Sequence, residues 1–99
     1  MNKLIKLSNN FLFKTFIGDR GLRVYKKEVD RRLGVPGLTK LVKEATGQEL
    51  NPEEAYCFCI KNQNTIKILT KDHQSASMIS VYDEDAKGIK EEIRELGLM

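Results

Sequence analysis

Residues 56–82 read YCFCIKNQNTIKILTKDHQSASMISVY, and the alternation of apolar runs with polar breaks in this stretch decides the fold. Tyr56-Cys57-Phe58-Cys59-Ile60 is apolar on both faces of an extended chain. Lys61-Asn62-Gln63-Asn64 is a polar turn, and Thr65-Ile66-Lys67-Ile68-Leu69-Thr70 resumes a β-branched run, so the two segments form a hairpin. A second polar connection, Lys71-Asp72-His73-Gln74-Ser75, leads into Ser77-Met78-Ile79-Ser80-Val81-Tyr82, which completes a three-stranded antiparallel meander. Such a sheet needs a cover, and helices supply one.

Upstream, Pro36 precedes Leu38, Leu41, Val42 and Ala45 at the spacing of an amphipathic helix, with proline in the first turn and Gly47 as its stop. Lys40 and Lys43 project from the other side of that helix. Leu22-Arg23-Val24-Tyr25-Lys26 follows a turn at Gly18-Asp19-Arg20-Gly21 and alternates apolar with basic side chains, as a half-buried strand does. Residues 8–17 fit a helix capped at Asn9 or Asn10 and a short strand equally well. Downstream, Asp83 and Asp85 precede Ala86, Ile89, Ile93 and Leu96, one face of a terminal helix that Gly97 ends; Gly88 inside it costs about 1 kcal/mol relative to alanine. The chain reads as α+β: a small antiparallel sheet of three to four strands (meander near 55–82, an extra strand near 22–26), packed with helices near 36–46 and 84–96.

Ninety-nine residues with 40% hydrophobic and 31% charged content suit one domain over 1–99, with a single core. The longest apolar clusters, Phe11-Leu12-Phe13 and Phe16-Ile17, fall far short of the ~20 residues of a membrane span. Lys6 interrupts the N-terminal apolar residues and no small-residue cleavage site follows, so a cytoplasmic protein is expected. Cys57 and Cys59 share one face of a strand at roughly 7 Å, which suits two reduced core thiols better than a disulfide.

Little in the sequence suggests catalysis. His73 is the only histidine, and neither Ser75 nor Ser77 is placed by sequence as its nucleophile, so a surface histidine is the simpler reading. Cys-x-Cys with one histidine gives three candidate zinc ligands and no second paired motif. Gly18-Asp19-Arg20-Gly21 lacks the length and the lysine of a phosphate-binding loop. Glu53-Glu54, Asp83-Glu84-Asp85 and Glu91-Glu92 are more simply helix-dipole partners and solvated faces. The expectation is a binding protein with no catalytic residue, metal or cofactor.

Net charge is +3, but residues 1–44 hold 11 Lys+Arg against 4 Asp+Glu, and residues 45–99 hold 6 against 10. This polarity fits either an ordinary solvated surface or a basic face for phosphate or an acidic partner. The basic residues are Arg20, Arg23, Lys26, Lys27, Arg31, Arg32, Lys40 and Lys43, with Lys61 and Lys67 added from the hairpin. Tyr25 is the one aromatic interleaved with the first eight, a pattern that favours backbone phosphate over base stacking.

From Asp30 to about Tyr82 the sequence resembles the small TnpB-type accessory protein of the insertion-sequence-66 transposons. That family opens the region with Asp-x-Arg and then Gly-Leu-x-x-Leu-Val-x-x-x-x-Gly; the corresponding residues are Asp30, Arg32, Gly37, Leu38, Leu41, Val42 and, at similar distance, Gly47. A proline loop, an aromatic strand, and an Ile-Lys-hydrophobic-Leu strand with a following acid come next, at Pro52, Tyr56, Phe58, Ile66, Lys67, Ile68, Leu69 and Asp72. The family's arginine-rich hairpin turn reads Lys61-Asn62-Gln63-Asn64-Thr65 here, and its aromatic residues after the leucine become Thr70 and Lys71. The resemblance implies an accessory role in transposition; joined to the basic first half, it gives the expectation of a factor that contacts DNA through those cations while the sheet or terminal helix contacts a transposase-like partner. The competing expectation is a protein-interaction module, a phage- or plasmid-borne regulator or inhibitor, whose basic face meets an acidic protein.

Overall fold

The computed structural model describes residues 5–8 and 11–99. The elements run α1 (Ile5–Ser8), α2 (Phe11–Ile17), β1 (Gly21–Val24), α3 (Val35–Thr46), β2 (Glu54–Cys59), β3 (Thr65–Lys71), β4 (Ala76–Tyr82) and α4 (Asp83–Glu95). Residues 11–17 are therefore helical; the candidate caps Asn9 and Asn10 lie outside the described residues. The four strands form one sheet in the order β1-β2-β3-β4.

The meander forms as its alternation predicts. Cys57 lies opposite Ile68, and Ile68 opposite Ile79, in two antiparallel ladders. Asn62 adopts a left-handed φ of 62° in the tight turn between β2 and β3, a conformation asparagine tolerates well. The extra strand joins differently: β1 pairs with β2 in parallel, Gly21 opposite Glu54 and Val24 opposite Cys57, so the sheet is mixed. The intervening chain explains this. Two parallel neighbours need a long crossover, and α3 supplies it between Val24 and Glu54. Beyond β1 the pairing resumes at an isolated bridge, where Val29 donates to the Cys59 carbonyl and accepts from Lys61 N–H, both at 2.9 Å.

Strand alternation divides the core in two. On one face Tyr56, Phe58, Ile60 and Leu69 pack with Leu38 and Val42 of α3 and with Val29 and Leu50. On the other, Ala55, Cys57, Cys59, Ile66, Ile68 and Val81 pack beneath Leu7, Phe13, Ala86, Ile89 and Ile93, from α1, α2 and α4. Both cysteines are buried free thiols on this second face. Burial disfavours the thiolate, so Cys57 is driven well above the usual thiol range and Cys59 is pushed up to about 11.

Helix ends follow local chemistry. Pro36 stands in the first turn of α3, and Gly47, at φ 73°, donates its N–H to the Lys43 carbonyl at 2.8 Å and turns the chain out of the helix. Asp83 starts α4 with φ 55° and donates its N–H to Asn64 at 2.9 Å, locking the helix start to the hairpin turn. Gly88 has a packing reason: a Cβ there would sit 3.0 Å from Cδ of Lys6, whose stem crosses α4 at that point.

Candidate nucleic-acid interface

The ten nominated cations do three different jobs. Arg20 and Lys67 hold the chain together. The Arg20 guanidinium donates to the carbonyls of Pro52 at 3.0 Å and of Phe16, Ile17 and Lys71 at 3.3 Å each. It thus occupies the carbonyl end of α2 and ties that helix to the loop before β2 and to the end of β3, a use suited to a planar fork of donors. Lys67 projects from β3 on the α3 face and donates through Nζ to Arg31 at 2.8 Å and Leu33 at 2.7 Å, fixing the turn that enters α3.

Three more cations are paired with carboxylates at the surface. Arg23 Nε lies 3.2 Å from Oε1 of Glu54 across the β1–β2 pair, and Lys43 Nζ lies 2.8 Å from Oε2 of Glu49. Arg32 grips Asp30 through two parallel bonds, Nε to Oδ1 at 3.0 Å and Nη2 to Oδ2 at 2.9 Å, and also donates its backbone N–H to Oδ1. Those hydrogen bonds hold the Asp30 carboxyl well below the usual carboxylate range. The Asp-x-Arg motif is therefore a self-contained turn clasp.

Lys26, Lys27, Arg31, Lys40 and Lys61 remain. All five are exposed, and none has a side-chain hydrogen bond or ion pair among the described residues. Lys26 and Lys27 follow β1 and line a groove of about 770 Å³ beside the sheet edge. Arg31 and Lys61 lie at the hairpin end of the sheet, flanking the Val29–Ile60 bridge. Lys40 stands on α3 opposite the buried Leu38 and Val42, displaced from both by about half a turn of helix.

One cationic centre escapes the sequence reading. Lys90 is 8% exposed, and its Nζ donates to the Ile60 carbonyl and the Gln63 carbonyl, both at 2.9 Å, beside Oε2 of Glu28 at 3.1 Å. Arg94 reaches the same Glu28 oxygen at 4.0 Å. The signal was present: Ala86, Ile89, Lys90 and Ile93 follow the i, i+3, i+4, i+7 pattern, which puts a lysine on the buried stripe of α4. A buried ammonium needs acceptors, and the hairpin turn provides them.

The catalytic candidates are not assembled. His73 is exposed, and Asp72 beside it accepts the N–H groups of Gln74 and Ser75 at 2.9 and 3.0 Å, an ordinary aspartate turn whose hydrogen bonds lower its carboxyl pKa. Among the described residues no group of three His, Cys, Asp or Glu side chains is arranged to hold a metal ion. No helix among them is long and apolar enough to cross a membrane.

These features define a small mixed-sheet α+β protein in which part of the basic charge builds the fold and part faces solvent. Residues 21–82 match the family model of the IS66 Orf2-like proteins, and the chain belongs to that family. Membership points to an accessory role in transposition. The matched span begins nine residues ahead of the resemblance legible from Asp30, so it includes β1 and ends with β4. No curated protein and no solved structure matches the chain.

Proposed function

We propose that this protein is a non-enzymatic accessory factor of a transposable element that contacts the DNA sugar–phosphate backbone through Lys26, Lys27, Arg31, Lys40 and Lys61 and assists a transposase-like partner. The observation that carries the reading is the set of five exposed cations without an intramolecular partner among the described residues, in a member of a transposon protein family. Arg20 and Lys67 serve as scaffold, and Arg23, Arg32 and Lys43 would have to leave a carboxylate to meet a phosphate.

A surface of this kind neutralises phosphates without reading bases, so its affinity falls steeply with salt and varies little with sequence. Five contacts to duplex DNA correspond to a slope of log K against log salt of about −4.5. The test is fluorescence anisotropy of the purified protein with labelled single- and double-stranded DNA from low to near-physiological salt. Arg31→Glu with Lys61→Glu is expected to weaken binding and to flatten the duplex slope by about 2 units. Absence of saturable binding even at low salt would overturn the reading.

A further inference from the structure

β1 is an edge strand of the sheet. Gly21 N–H donates to the Glu53 carbonyl and Tyr25 N–H to the Cys57 carbonyl, both at 2.9 Å. In a parallel ladder that phase turns residues 21, 23 and 25 toward β2, and therefore turns the N–H and C=O of Leu22 and Val24 outward. Among the described residues those four backbone groups have no hydrogen-bond partner. Unpaired edge groups are templates for strand pairing, and proteins normally blunt them. Here they border the groove of about 770 Å³, whose apolar lining includes the half-buried Tyr25 and Leu98.

The charge around this edge selects its occupant. Lys26 and Lys27 line the groove, together with Arg23 in its pair with Glu54, and the only acid in the lining itself is Glu44. A second copy of the chain paired through β1 about a two-fold axis would bring the two Arg23 side chains together at its centre, an unfavourable arrangement of like charges. Nucleic acid could satisfy the cations but offers no alternating amide donors and acceptors to Leu22 and Val24. An extended peptide with carboxylates flanking an apolar side chain satisfies all three features: the backbone groups, the apolar surface and the positive rim.

We infer that the β1 edge is a strand-addition site for an extended, acidic segment of another protein, with backbone bonds to Leu22 and Val24 and its carboxylates against Lys26 and Lys27. This goes beyond the DNA reading and does not rest on it. Arg31, Lys40 and Lys61 take no part, and either proposal survives the failure of the other.

The probe is an addressed set of labelled eight-residue peptides alternating Glu or Asp with Val, Ile, Leu or Phe, titrated with the full chain by anisotropy. The best binders are then remade with N-methyl groups on alternate residues, in each of the two phases. Strand addition requires one phase to lose at least tenfold in affinity, because it methylates the N–H groups that face β1, while the other phase keeps its binding. Lysine in place of the acids is expected to abolish binding. Val24→Pro removes an outward donor that the β1–β2 ladder does not use, and is expected to reduce binding tenfold with an unchanged far-ultraviolet circular dichroism spectrum. Should that variant fail to fold, the two methylation phases on the unaltered protein decide the matter. Equal binding by both phases, equal binding by lysine peptides, or no binding by any acidic member of the set would overturn the inference.

Discussion

The two faces of the sheet are covered by different kinds of chain. The face beneath α3 is built around aromatic residues, Tyr56 and Phe58, with the Tyr25 ring 5.4 Å from that of Phe58, and both of its layers lie within the span matched by the family model. On the face beneath α1, α2 and α4 the sheet itself presents aliphatic and thiol side chains, and the covering layer, Phe13 included, lies wholly outside that span. Their charges differ too: residues 20–46, which hold β1 and α3, carry eight Lys and Arg against three acids, whereas α4 carries six acids against three bases. The family-matched span thus supplies one complete interface and half of another. The chain on either side of it finishes the second.

The strongest way to break this comparison is to remove the second cover. Deleting residues 83–99 takes Ala86, Ile89 and Ile93 off the sheet. Two buried isoleucines alone contribute about 3–6 kcal/mol, against a total stability of about 5–15 kcal/mol for a domain of this size. The expected outcome is loss of cooperative unfolding and of the dispersed amide spectrum. A truncated chain that folded normally would mean that this face needs no cover.

A matched pair of substitutions compares the two interfaces more finely. Leu38→Ala under α3 and Ile93→Ala under α4 each empty a site that is 0% exposed, and each is expected to lower stability by about 2–5 kcal/mol in urea titrations. A much smaller loss at one site would identify the face that relaxes around its cavity. A third test uses pH and concerns the thiol-lined face alone. Folding raises the Cys59 pKa from 9.0 to about 11, so its contribution is complete below pH 9 and is lost as pH rises toward 11, with the unfolded chain releasing the proton first. One such group adds at most about 1.4 kcal/mol of destabilisation per pH unit. Cys59→Ala is expected to flatten the dependence of the urea midpoint on pH between 9 and 11, even though the variant is less stable at every pH.

How much of this was legible beforehand depends on how far apart the interacting residues lie in sequence. The meander and α3 were readable from alternation, the turn at Lys61–Asn64, Pro36 and Gly47, because each signal lies within a few residues of the element it shapes. The direction of β1 was not, since its four residues find their partner only after the crossover through α3. The candidate site divides in the same way. Residue types announced a basic segment, but Arg20 is engaged by carbonyls up to 51 residues away and Lys67 by carbonyls 34 and 36 residues away. No local pattern shows that a charge is already in use. Lys90 is the opposite case, a lysine whose place on the apolar stripe of α4 is visible from local spacing alone.

The parallel pairing of β1 also sets a clock on biosynthesis. Emerging from the ribosome, Gly21 must wait for Glu54, and the buried ring of Phe13 must wait for Ile93 at the far end of α4. At about 5–20 residues per second, that second interval is on the order of 4–16 s, during which the nascent N-terminal helix has no finished surface to dock on. The meander and α3 can meet during this interval because their partners are nearer in the chain. The helices beside the opposite face close last, so translation speed and early chaperone contact bear on the yield of folded protein through that face in particular.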